Sequence, residues 1–221
     1  KGKKVLILEW GDNNPTSGTF AQAFPQLFML GKSLLVTNQL LGMVRGITTG
    51  GSSTFYCATA FEPPVDMLQT YGVDISGEVA EVRAEVPIEH LSDELMSPAG
   101  NLFLESALNL GYDAKKLNKF IYQDKCKKDC ALCGYGCPEG AKWTARNFVE
   151  EALEYGAEMI NHAKVTKVIV KNDRAVGLEY SHKRKPHDVY APQVIVAAGG
   201  IGSPLILRNS GIKGVGKDFF F

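Results

Sequence analysis

Apolar and polar positions follow several different periods along this chain, and each period predicts a different element. Residues 5–8 (Val-Leu-Ile-Leu) form a short unbroken apolar run closed by Glu9 and then Gly11. Such a run reads as a strand buried in a parallel sheet. Residues 194–198 (Val-Ile-Val-Ala-Ala) repeat the pattern and lead through Gly199-Gly200-Ile201-Gly202 into a helix expected to start near Ser203-Pro204, since proline suits a first helical turn. Helical spacing marks two other segments. Residues 101–110 carry Leu104, Ala107 and Leu108 and stop at Gly111, and residues 142–155 carry Ala145, Phe148, Val149, Ala152 and Leu153 and stop at Gly156. A short helix broken by Pro25 is expected over 20–30. From 165 onward the period is that of extended chain. Strands over 165–170 and 175–180 are joined as a hairpin through Lys171-Asn172-Asp173-Arg174, and 187–191 is a candidate third strand.

Other stretches carry no clear period. Residues 62–100 hold Pro63, Pro64, Pro87 and Pro98 and read as an irregular insertion. The most apolar stretch, 20–44, has one charge (Lys32) but is interrupted by Gln22, Pro25, Gln26, Gly31, Asn38 and Gln39. A membrane-spanning helix wants ~20 mostly apolar residues, so buried core or a covered site is expected there, and no transmembrane segment. No signal peptide is visible after Lys1, because the apolar run that follows is too short. Four residues precede the first strand and the chain closes on Phe219-Phe220-Phe221. Both ends therefore read as those of a fragment of a longer protein.

Composition narrows the classes. Lys plus Arg number 24 and Asp plus Glu number 24 in 221 residues, a formal net charge of zero. That balance argues against nucleic acid as a partner, which favours a basic excess. With 45% hydrophobic and 22% charged residues the chain can bury a core. There are 23 glycines and five cysteines, four of the latter within residues 126–137. This crowding reads as a site more than as the framework of a secreted fold.

Three local patterns carry candidate chemistry. Glu9 closes the first strand; in dinucleotide-binding folds an acid there accepts hydrogen bonds from ribose hydroxyls, while an acid after a strand is more often a solvated loop residue. Arg45-Gly46-Ile47-Thr48-Thr49-Gly50-Gly51-Ser52-Ser53 exposes successive amides and hydroxyls without an intervening Cβ, as a pyrophosphate needs. The alternative is a flexible surface loop, against which stand the apolar flanks. Ala197-Ala198-Gly199-Gly200 is a strand–glycine–helix junction that aims amides and a helix dipole at an anion; a plain tight turn explains the local sequence equally well.

Taken in order, KKVLILEWG at 3–11, RGITTGGSS at 45–53, CALCGYGCPEGAKWTARNFVEEALEYGAEM at 130–159 and VIVAAGGIGSPLILRNSGI at 194–212 resemble the glucose–methanol–choline family of flavoprotein oxidoreductases. The resemblance implies an α/β fold: an FAD-binding, Rossmann-like parallel sheet with an antiparallel meander, glutathione-reductase-like and here incomplete. It implies a discontinuous FAD-binding domain of residues 1–61 and 140–221, with 62–139 as an insertion bearing the cysteines. It implies FAD, held by Glu9 at the adenosine ribose, Gly50, Gly51 and Ser52 along the pyrophosphate and flavin, Val165 at adenine, and Ala198 and Gly199 along the nucleotide. The implied reaction is oxidation of the CH–OH group of a small-molecule alcohol, polyol or sugar by hydride transfer to flavin. The family's G-x-G-x-x-G turn would precede Lys1 and its catalytic histidine would follow Phe221, so no catalytic residue is assigned. Tyr56 stands about where the family carries an asparagine.

Cys126, Cys130, Cys133 and Cys137 are the candidate metal ligands. Cys130-x2-Cys133-x3-Cys137-Pro138 resembles part of a ferredoxin run. The open alternatives are an iron–sulfur cluster passing electrons to a cytochrome or quinone, a disulfide or plain thiols, and zinc. A non-catalytic electron-transfer or structural module built on that loop is the competing class of function. Coding sequence upstream of Lys1 is expected to show a short apolar strand and G-x-G-x-x-G within about 30 residues; a start codon at Lys1 with a stop after Phe221 would overturn that expectation.

Overall fold

The expected opening strand forms, and it pairs in parallel. A computed structural model describes residues 2–217; the aromatic triplet at 219–221 lies outside the described residues. Strand β1 (Leu6–Leu8) runs beside a later strand, placing Leu6 opposite Glu158 and Leu8 opposite Ile160. The chain divides into two units, one made of Lys1–Asn13 with Ala152–Phe221 and the other of Asn14–Glu151.

The second unit begins with α1 (Phe20–Leu27), capped by the Thr19 side chain, which accepts from the Gln22 amide. Pro25 does not break this helix as the sequence suggested. It lies near the C-terminal end, so the missing N–H removes one bond of a short ladder, and Phe28 N–H still reaches the Phe24 carbonyl at 2.8 Å. A hairpin follows, β2 (Leu34–Val36) with β3 (Gly42–Val44). After the glycine loop come β4 (Thr59–Ala60), α2 (Val65–Gln69), α3 (Ser76–Glu85), β5 (Ile88–His90), α4 (Pro98–Asn109) and β6 (Asn118–Phe120). β6 lies between β4 and β5, antiparallel to both.

The stretch 62–100 is thus helical in large part, where an irregular insertion was expected. α3 buries no residue, so it leaves no apolar stripe in the sequence; Arg83 and Glu62 form an ion pair beside it. α4 is as expected, with Ser97 accepting from Gly100 N–H at 3.0 Å, Pro98 in the first turn and Gly111 left-handed just past the end. The helix expected from 142 starts later, as α5 (Arg146–Glu154), because Lys142 forms an isolated antiparallel bridge with Ile121 instead.

The first unit resumes with β7 (Glu158–Ile160), the partner of β1. β8 (Ala163–Lys171), β9 (Arg174–His182) and β10 (Lys185–Tyr190) make the antiparallel meander, ordered β10-β9-β8. Asn172 and Asp173 both take positive φ, as a two-residue hairpin turn requires. α6 (Gly199–Asn209) closes the unit. It starts before the expected Ser203, so Pro204 sits inside it. Residues 194–198 do not form the second parallel strand: the apolar run has no ladder partner among the described residues, and Ile195 is 79% exposed. A strand exists only through a neighbour's backbone groups, which sequence pattern alone does not supply.

Gly177 sets how closely the meander packs. A Cβ there would lie 2.2 Å from the Val189 carbonyl oxygen. Gly177→Ala is expected to force β10 off β9 and cost about 1–3 kcal/mol, the usual range for overpacking, read as a lowered Tm; an unchanged Tm would contradict the packing described.

Candidate functional site

The glycine loop in the second unit rises out of a buried polar seam. Thr48 and Thr49 are 2% and 1% exposed and lead directly into Gly50 and Gly51. Both glycines are left-handed, with φ of 85° and 57°, a conformation that costs a residue with a Cβ. A tight turn over Gly51–Thr54 follows. Its shape is fixed by hydroxyls: Gly46 N–H donates to Ser52 Oγ at 2.9 Å, Ser53 Oγ donates to the Gly50 carbonyl at 2.5 Å, and Ala145 N–H donates to Ser53 Oγ at 2.9 Å. Gly46 is needed for close approach, since a Cβ there would be 2.6 Å from the Gly51 carbonyl oxygen. A Cβ on Gly50 would press on the Arg146 amide at 3.0 Å, while one on Gly51 meets nothing within 4 Å. The predicted positions Gly50, Gly51 and Ser52 therefore lie together on one rigid turn, and at Gly51 the backbone faces open space.

The other predicted nucleotide contacts lie in the first unit. Glu9 follows β1 directly. Its amide donates to Ile160, its carbonyl accepts from Ala163, and its carboxylate accepts from the buried Gly11 N–H at 2.6 Å. Asn161 Nδ2 and His162 N–H both reach the Gly11 carbonyl, at 3.2 and 3.0 Å, which holds that turn. Val165 is a paired residue of β8, opposite Tyr180, at the edge of a bulge. Ala198 caps α6, its amide donating to Ser203 Oγ at 2.9 Å, and Gly199 is left-handed with open space where a side chain would be.

Lys142 was not among the expected site residues, and it is 4% exposed. Its ammonium donates to the carbonyls of Thr54 at 2.7 Å, Tyr56 at 2.9 Å and Cys133 at 2.6 Å. An ammonium has three protons, so all three have acceptors. Burial pushes the group down to about 8, against the pull of the Cys133, Cys137 and Cys57 thiols. The one available signal was a lone cation inside Gly140-Ala141-Lys142-Trp143, which helical periodicity absorbed. Tyr56 also faces inward. Its hydroxyl donates to the Trp143 carbonyl at 3.0 Å, its ring lies 5.0 Å from Lys142 Nζ, and burial first, then Cys133, raises its pKa well above the usual phenol value.

The cysteine loop does not match the metal-ligand expectation. Cys126, Cys130, Cys133 and Cys137 are all free thiols, and no group of three or more His, Cys, Asp or Glu among the described residues is placed to hold a metal ion. Burial raises the Cys126 and Cys133 thiols. As arranged here, the four thiols do not form a ligand set for an iron–sulfur cluster or zinc. No helix among the described residues is long and apolar enough to cross a membrane.

Comparison with known proteins places this architecture. A family model described as GMC oxidoreductase matches residues 24–220. An uncharacterized GMC-type oxidoreductase of Mycobacterium tuberculosis is 27% identical over 184 residues, covering 76% of this chain and 28% of the relative. A long-chain-alcohol oxidase of Arabidopsis thaliana is 26% identical over 239 residues, covering 96% of this chain and 31% of the relative. The crystal structure of pyridoxine 4-oxidase from Mesorbium loti superposes with a TM-score of 0.71 at 17% identity, covering 96% of this chain and 47% of that one. The chain thus spans less than a third of these curated relatives' length, and the structural likeness bears on fold.

Thiol chemistry reads the cysteine geometry directly. Exposed Cys57 is expected to react first with a thiol reagent at pH 8. Cys126 and Cys133, with raised pKa values, hold less thiolate there and should react more slowly, gaining rate as pH rises. A Cys133 that reacts as fast as Cys57 in the folded protein would contradict the partial burial of Cys133.

Proposed function

The chain belongs to the GMC oxidoreductase family, and on that premise we propose that it is the FAD-holding part of an oxidoreductase acting on the CH–OH group of an alcohol, polyol or sugar. The observation that carries this reading is the turn at Gly50 and Gly51, two consecutive left-handed glycines with the Cβ direction of Gly51 empty. Backbone laid bare in this way suits close approach by a phosphate or a flat ring. The long-chain-alcohol oxidase relative supports the alcohol class. When bound, the flavin supplies the acceptor for the hydride leaving the carbinol carbon.

The protein's own residues bind and orient. Glu9, steadied by Gly11 N–H, accepts from the ribose hydroxyls through its carboxylate. In the first unit, Gly199 at the start of α6 directs its amide and the positive end of the helix dipole toward the nucleotide, Ala198, its own amide held by Ser203 Oγ, lines the nucleotide beside it, and Val165 offers backbone groups to adenine. In the second unit, Gly50, Gly51 and Ser52 line the pyrophosphate and flavin. Ser52 Oγ accepts from Gly46 N–H and keeps its own proton to donate. These roles correspond to a discontinuous, glutathione-reductase-like FAD-binding domain of residues 1–61 and 140–221, with 62–139 inserted. Because the cysteines do not fit a cluster, no electron path to a cytochrome or quinone is routed through them.

Flavin retention tests this. In the full-length protein, Glu9→Ala removes a charged acceptor worth on the order of 1.5–3 kcal/mol, or roughly 10- to 150-fold in affinity. Gly51→Val is expected to lose more flavin, because a β-branched residue resists φ of 57° and its side chain fills the open approach. The measurement is the flavin-to-protein absorbance ratio after gel filtration. Full occupancy in both variants would overturn the assignment.

A further inference from the structure

We propose that Lys142 is the positioning residue of the glycine loop: its ammonium, hung from the β6 side of the sheet, fixes the peptide planes just beyond Gly50–Ser53 and so sets the surface offered to flavin. This rests on the FAD reading above and assigns a role to a buried cation which that reading does not use.

Lys142 is anchored by its own backbone. It bridges Ile121, Tyr122 N–H donates to the Ala141 carbonyl at 2.7 Å, and Trp143 N–H donates to the Phe120 carbonyl at 3.0 Å. These bonds extend β6, so the lysine departs from paired backbone rather than from a loose loop. From there its three protons take the Thr54 and Tyr56 carbonyls on one side and the Cys133 carbonyl on the other. Thr54 ends the turn that Gly51 begins, and its side chain reaches back to the Thr49 carbonyl at 3.3 Å. Displacing the Thr54 carbonyl therefore moves the segment that holds Gly50 and Gly51.

The chemistry is specific to an ammonium. A methyl group in its place leaves three carbonyls without a donor in a site that is 4% exposed. A planar guanidinium cannot satisfy three acceptors grouped around one tetrahedral nitrogen. The lysine touches no reacting atom, so its effect is on the loop and through it on flavin binding.

The experiment uses the full-length protein stripped of flavin and titrated with FAD, comparing wild type, Lys142→Met and Lys142→Gln, with Val86→Ala as a core control. Val86 is 5% exposed and is given no role in binding. Thermal unfolding of the apo-protein reports folding; the FAD dissociation constant and the visible flavin spectrum report the loop. Lys142→Met is expected to weaken FAD by at least about tenfold and shift the bound flavin's absorption band. Lys142→Gln, which keeps two donors, should fall between Met and wild type. Val86→Ala should lower Tm while holding FAD within about twofold of wild type. Folded Lys142 variants that bind FAD as wild type does would overturn the positioning role. So would Val86→Ala weakening FAD as much as Lys142→Met, or failure of both lysine variants to fold, since each assigns the lysine to stability alone. A wild-type protein that takes up no FAD would instead overturn the cofactor reading, and this proposal with it.

Discussion

A buried ammonium is costly, and the second unit is arranged around meeting that cost. Removing a lone cation from water is penalised by several kcal/mol unless each of its protons finds an acceptor. At Lys142 each does, and the acceptors come from segments far apart in sequence: residues 54 and 56 after the glycine loop, and residue 133 in the cysteine loop. One side chain thereby replaces a network of loop-to-loop bonds. The aromatic rings of Tyr56, Phe120 and Trp143 pack beside it, with centroids 6.0 and 5.7 Å apart along that row. They exclude water and strengthen the hydrogen bonds they surround.

The first unit solves a similar problem without a buried charge. The β8–β9 register shifts between Val165 and Lys167, and such a bulge leaves backbone groups out of the ladder. The C-terminal end of α6 supplies the missing partners. Asn209 Nδ2 donates to the Thr166 carbonyl at 3.1 Å, and Val168 N–H donates to Ser210 Oγ at 2.7 Å, while that hydroxyl donates back to the Ile206 carbonyl. Val168 and Ile206, 6% and 9% exposed, are the apolar centre of this contact. The helix is stitched to the strand at its far end, and that fixes where its glycine-rich start points within the unit.

Elements were legible in the sequence where one physical signal dominated. The run at 5–8, the Asn172-Asp173 turn and the Ser97-Pro98 start with its Gly111 stop each carry a local cause that tertiary context does not reverse. The glycine loop was legible because backbone geometry leaves a mark in residue type. α3 was hidden because it buries no residue and so leaves no apolar stripe. Residues 194–198 misled because apolar content says only that a segment can be buried; pairing depends on a neighbour. Lys142 was invisible for the opposite reason. A lone cation next to a helix reads as solvated surface, and only three converging carbonyls distinguish it.

The same limit explains the cysteines. Spacing shows that four thiols share a loop, but ligation needs them in one coordination geometry, and no such group is placed among the described residues. Gly136 is left-handed, and a Cβ on it would strike Thr16 at 2.7 Å. Thr16 in turn donates to the Cys137 carbonyl at 3.1 Å, and the Cys133 carbonyl is held by Lys142. Asp129 and Ala131 take left-handed φ on either side of Cys130, at about 1–2 kcal/mol each. Lys142 does attract a thiolate at Cys133, yet burial outweighs that attraction and the thiol stays above its usual pKa. A cation already stands beside the loop, bound to carbonyl oxygen rather than sulfur, and its charge works against the burial that raises Cys133.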